Sequence, residues 1–217
     1  MTMPTSDMKN TTKHAEQLRT TFRRLLRDVQ PTPLVKLDAL KSLVRGAMSY
    51  DVSDNRADEA VRLLEREFVD LNELRVATDL EIAELLGVRY PNIELRVELI
   101  TRALNTIFEK EHTLSLERMN SLSKRDVRQF LRGLPEMNPF VEAYVMLFSF
   151  DGHSVPVDQL MFDYLLEEGI VDEKMSITDA QKFLEHHLKA EECYDFYVSI
   201  RRAASDAEGI ARKKAKK

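Results

Sequence analysis

An all-α fold is what this sequence predicts, and three observations predict it. Glycine (6) and proline (7) are scarce and tryptophan is absent, while the strong helix formers Leu, Glu, Arg and Ala abound. Apolar residues recur at steps of three and four along most of the chain, the spacing of one helical face. No run alternates apolar with polar residues for long enough to make a strand, and no fixed-period repeat appears.

Composition bounds the rest. A chain of 217 residues, 43% hydrophobic and 32% charged, has enough apolar material for a substantial core in one or two domains. No stretch approaches the roughly 18 consecutive apolar residues of a membrane span. The first thirty residues, with Asp7, Lys9, Lys13 and Glu16, contain no apolar export signal, so a cytoplasmic location and no membrane partner are expected. The single cysteine, Cys193, excludes an intramolecular disulfide and any all-cysteine zinc or iron–sulfur site. Net charge is −5, but residues 212–217 carry five cations, leaving 27 basic against 37 acidic residues elsewhere. Such a tail can supply salt-sensitive attraction to phosphates, or can be a solvated, disordered end.

Residues 1–12 are expected to be disordered. Leu18, Phe22, Leu25, Leu26 and Val29 define a first helix from Lys13, which Pro31 and Pro33 terminate. A second helix is expected over 37–50, and a third to Phe68 after the break at Asp51-Val-Ser-Asp54, with Ser53 or Asp54 as its cap. Thr78-Asp-Leu-Glu81 reads as a capping box, with Leu80, Ile82, Leu85 and Leu86 facing inward and Gly87 closing the helix. Residues 91–111 form a long amphipathic pattern, followed by short helices over 115–122 and 124–133. The turn Leu134-Pro-Glu-Met-Asn-Pro139 leads into an apolar helix, 140–150, whose Tyr144, Val145, Leu147 and Phe148 are expected in the core. After Asp151-Gly-His153, Val155-Pro-Val157 is extended and Asp158 opens a helix to Glu168; two more helices cover about 176–188 and 190–204. His186 and His187 are adjacent on one helix and point to different faces, so they make no two-ligand metal site, and no metal is expected.

Two segments carry a resemblance. Residues 126–164 read helix, L-P-x-x-N-P turn, buried helix, loop, then V-P-V-D at a helix start. Upstream, Gly46-Ala-Met-Ser-Tyr-Asp-Val-Ser-Asp-Asn-Arg-Ala57 runs without gaps beside the pattern S-A-Q-A-T-D-V-S-V-N-K-A, sharing Asp51, Val52, Ser53, Asn55 and Ala57. Together they resemble the helix-hairpin-helix DNA glycosylases of the endonuclease III type, in which L-P-G-V-G-x-K-T-A leads through an apolar helix to V-D-T-H. Leu134 and Pro135 fall at the first two hairpin positions, Phe140 at the family's lysine, and Asp158, eighteen residues on, at its aspartate. The resemblance covers about residues 35 to 200.

That resemblance implies two helical lobes: a six-helix, barrel-like lobe over 45–153 holding the hairpin 134–139, and a lobe of terminal helices, 13–44 with 154–205, ahead of a basic tail, 206–217. It implies a monomer acting on double-stranded DNA, with Leu134, Pro135, Met137, Asn138 and Pro139 at the DNA backbone and a monovalent cation as the only expected ion there. Glu136 and Asn138 replace the hairpin glycines. Asn takes positive φ more readily than most residues and can keep the turn, whereas the Glu136 carboxylate repels a phosphate by about 1 kcal/mol or more. Asp158 is the implied catalytic residue, stabilising positive charge on the sugar or activating water; an Asp at a helix start is equally a favoured N-cap. Phe140 offers no amine, which removes the Schiff-base route of the lyases and leaves monofunctional base excision. Phe140, Met48 and Tyr50 are implied pocket residues that also read as core. The four cluster cysteines are missing, so no iron–sulfur cofactor is expected. The implied function is a monofunctional DNA glycosylase, with a DNA-binding or scaffold module lacking chemistry as the alternative.

Overall fold

The computed structural model describes the backbone of residues 5–87 and 89–215 and the side chains of 12–87 and 89–209. These residues contain no strand, and the chain divides into two compact units. Unit 1 comprises residues 1–33 with 157–217, and unit 2 residues 34–156.

Unit 1 is built from α1 (Thr5–Val29), α9 (Gln159–Glu167), α10 (Ile177–His187) and α11 (Cys193–Ala215). The expected apolar stripe of α1 is buried at Leu18, Phe22 and Leu25, and Phe22 meets Phe196 of α11 edge-on at 5.3 Å. Helix α1 begins at Thr5, so residues 5–12 are not the coil expected from their polarity; residues 1–4 lie outside the described part. A helix nucleated by a packed stripe extends into polar sequence at little cost. Helix α11 likewise continues past the expected end at 204 to Ala215, because Ala, Glu, Arg and Lys are good formers and cations suit a helix C-terminus. The backbone of the basic segment is therefore helical up to that residue.

Unit 2 contains α2 (Ala39–Ser49), α3 (Asp54–Glu67), α4 (Leu71–Val76), α5 (Asp79–Leu86), α6 (Ile93–Glu111), α7 (Lys124–Arg132) and α8 (Pro139–Ser149). Apolar α8 lies at its centre, with Tyr144, Val145, Leu147 and Phe148 all buried as expected. Helix α2 packs closely on α8: a Cβ at Gly46 would sit 3.3 Å from Tyr144, and Ser149 Oγ donates to Ser42 Oγ at 2.7 Å. This packing places α2 with residues 34–156, so the division falls at 33/34 and 156/157 rather than at 44/45 and 153/154. The Thr78–Glu81 capping box and the Gly87 cap (φ +85°) form as read. Leu80, however, is 66% exposed; it follows the cap and points away from the buried Ile82. Helix α4 went unread, although Asp70 at its N-cap and Glu73, which accepts from Val69 N at 2.6 Å, spell a cap. Residues 117–121 form a 3₁₀ turn, shorter than the expected helix.

Candidate functional site

The hairpin forms between α7 and α8. Ser123 caps α7, and the chain reverses through Leu134 N–H to Leu131 O and Met137 N–H to Leu134 O, with Leu134 buried as the anchor. The left-handed residue of this turn is Glu136, at φ +54°, and not Asn138. Asn138 is extended (φ −97°) and caps α8, its Oδ1 accepting from Val141 N–H at 2.8 Å ahead of Pro139 at the first helical position. The expectation that Asn138 keeps the turn by taking positive φ is thus corrected: its oxygen is better used on the orphan amide of α8, so the backbone reversal falls on Glu136. A non-glycine residue there costs about 1–2 kcal/mol.

Charge around the hairpin is mixed. The Glu136 carboxylate lies 3.5 Å from Arg102, which also pairs with Glu98 at 2.6 Å. On α7, Arg128 and Arg132 share the buried Glu142 at 3.3 and 2.7 Å, two cations on one carboxylate. Glu136→Gly removes the strained backbone, and its expected effect is a stability gain of up to about 1 kcal/mol, checked by urea unfolding.

The pocket candidates of unit 2 are only partly available. Met48 is 0% and Phe140 1% exposed, so both are core residues in this structure. Tyr50 is half-buried and packs on Phe140 with ring centroids 5.6 Å apart; Phe140 continues to Tyr144 at 6.1 Å, and Tyr144 stacks on Phe148 at 4.2 Å. The Tyr144 hydroxyl accepts from Arg45 Nε at 3.1 Å, and Arg45 also pairs with Asp58. Burial alone would lower the Arg45 pKa, but Tyr144 and Asp58 outweigh it and raise it. A groove of about 880 Å³ opens elsewhere in unit 2, lined by residues that include Leu40, Val44, Leu64, Phe68 and Leu74; none of the pocket candidates borders it.

Asp158 belongs to unit 1. It is the N-cap of α9, Oδ1 accepting from Met161 N–H at 2.9 Å, and Oδ2 forms an ion pair with Arg201 of α11. Asp158 is 0% and Arg201 1% exposed. The cap reading of Asp158 therefore holds, and its negative charge faces a permanent cation in a low-dielectric interior.

Arg201 escaped the sequence reading, though a signal was present. Cys193, Phe196, Tyr197, Ile200 and Ala204 are the buried stripe of α11, and position 201 falls on it. An arginine on an apolar stripe asks for a buried acid. Arg96 of α6 escaped for the same reason: it is 4% exposed and donates to the carbonyls of Pro91 (2.6 Å), Ala47 and Tyr50. Among the described residues no group of three or more His, Cys, Asp or Glu side chains could hold a metal ion, and one cysteine cannot supply the four thiolates of an iron–sulfur cluster.

No family model and no curated protein matches the chain. Solved structures do. An endonuclease III–DNA covalent intermediate superposes with a TM-score of 0.68 at 13% identity, over 86% of this chain and 84% of that one. The 8-oxoguanine glycosylase/lyase of Clostridium acetobutylicum in complex with double-stranded DNA gives 0.71 at 14% identity, over 90% and 70%. The 3-methyladenine DNA glycosylase of H. pylori, bound to 1,N6-ethenoadenine, gives 0.65 at 11% identity, over 92% and 98%.

Proposed function

The chain has the fold of the helix-hairpin-helix DNA glycosylases, and from that premise we propose that it is a base-excision repair protein that binds double-stranded DNA as a cytoplasmic monomer and removes a damaged or mismatched base without cutting the strand. The observation that carries this reading is Asp158: an acid at the start of α9, its carboxylate oriented by one backbone amide and one guanidinium. Breaking a glycosidic bond leaves positive charge on the sugar, which a fixed carboxylate stabilises while water completes the reaction. Phe140 provides no amine, so the sugar is not captured on the protein. The hairpin at 134–139 and the N-terminus of α8 face the DNA backbone, where helix dipole and turn amides favour phosphate. No iron–sulfur cluster takes part.

One observation favours a second reading. Both oxygens of Asp158 are engaged and the side chain is wholly buried, which suits a DNA-binding module that has given up the chemistry. Duplexes carrying uracil, alkylated bases or mismatches separate the two. The first reading expects alkali-labile sites on at least one of them. The second expects none, together with a gel shift that weakens when residues 212–217 are removed.

A further inference from the structure

The end of α2 is held in part by side chains from beyond the helix, Arg96 and Tyr90. The last carbonyls of a helix have no partner within it. Here the Arg45 carbonyl accepts from Ser49 Oγ at 2.8 Å, that of Gly46 from Tyr50 N–H at 3.2 Å, and that of Met48 from the Tyr90 hydroxyl at 2.8 Å. The carbonyls of Ala47 and Tyr50 both accept from the one guanidinium of Arg96. Three carbonyls, those of Ala47, Met48 and Tyr50, are thus held by side chains from beyond the helix. Arg96 also lies 5.8 Å from the Tyr50 ring centroid and 5.4 Å from that of Tyr90, within cation–π range of both.

The pinned segment ends in an outlier. Asp51 sits at φ +52°, a conformation that a non-glycine residue keeps only where its surroundings over-determine it. Beside it, Tyr50 is half-buried, with its ring packed on Phe140 while Met48 and Phe140 are fully enclosed. Of the three candidate pocket residues in unit 2, Tyr50 is therefore the one that is not fully buried.

We propose that Arg96 is a positioning residue for the turn after α2, and that it presets the Tyr50 ring as the surface on which an unpaired nucleobase stacks. The ligand class is a base lifted out of a duplex. Every base has a π-face, and an aromatic ring already fixed in place loses little freedom on receiving one. A lysine at 96 keeps the charge but cannot serve three carbonyls in one plane, because its ammonium is a point donor rather than a fork. This inference rests on the DNA-binding part of the proposed function and deepens it.

The test compares the full-length protein with Arg96→Lys, Tyr50→Ala, Tyr50→Phe and the Arg96→Lys/Tyr50→Ala double variant. Affinities are measured for a fully paired duplex and for the same duplex with one unpaired adenine. The wild type and Tyr50→Phe should favour the unpaired site by about ten- to a hundredfold, the range that base–aromatic stacking supplies. Arg96→Lys and Tyr50→Ala should each bring that preference close to one while paired-duplex affinity holds, and the double variant should be no worse than either. If Arg96→Lys melts too early to assay, Tyr90→Phe, which deletes only the hydroxyl on the Met48 carbonyl, should lower the preference in part. A purely structural role for Arg96 would weaken both affinities in parallel and leave the preference intact, which overturns the inference while the function stands. A wild type that binds neither duplex overturns both.

Discussion

Replacing Arg201 by alanine is expected to destabilise the protein by about 3–5 kcal/mol, the range for removing one partner of a buried ion pair. The loss comes from stranding the Asp158 carboxylate, which is 0% exposed, without its counter-charge. Urea unfolding followed by circular dichroism reads it directly as a lower midpoint at unchanged slope. Arg202, the next residue, is exposed and pairs with Asp206 at 3.6 Å, so Arg202→Ala should change stability by no more than about 0.5 kcal/mol. The double substitution Asp158→Leu/Arg201→Met should recover much of the loss, since two apolar side chains of similar volume need no desolvation of charge. A loss below about 1 kcal/mol for Arg201→Ala would show that water reaches the carboxylate.

Asp158→Asn carries the other large effect. Under the proposed chemistry it should lower the single-turnover rate of base release by about 10²–10⁴-fold, the contribution of a positioned acid or base. Asparagine is as good an N-cap as aspartate, so the start of α9 should persist, and its amide oxygen can still accept from Met161 N–H. Folding is checked by far-UV circular dichroism at a temperature well below the melt, because Arg201 loses its counter-charge in this variant. An unchanged rate in a folded Asp158→Asn protein would mean that the carboxylate only joins α9 to α11.

The helices were legible because they rest on local rules: the stripe of α1, the Thr78–Glu81 box and the Gly87 stop all formed as read. The limits of the chain's helices were less so. Residues 5–12 and 205–215 are helical by propagation from packed stripes, which no local signal at those residues reports. At the hairpin, propensity pointed to Asn138 for the positive φ. Two roles competed for that residue, and capping α8 won, leaving the strained backbone to Glu136. Asp158 was legible as a cap and as a candidate acid. Its pairing with Arg201, 43 residues away, depends on how α9 and α11 pack and is written in neither segment alone. The same holds for Arg96, whose carbonyl partners at 47 and 50 lie on another helix and its cap.

Monofunctional excision is tested most directly by product analysis on one lesion-bearing duplex, incubated with the protein and divided between alkali and borohydride. The expected result is a released base with strand breakage only after alkali, and no protein–DNA adduct in the borohydride arm, because the proposed chemistry uses water and forms no Schiff base. A trapped adduct, or strand breakage without alkali, would contradict the account, as would duplexes that are bound yet recovered with every base in place.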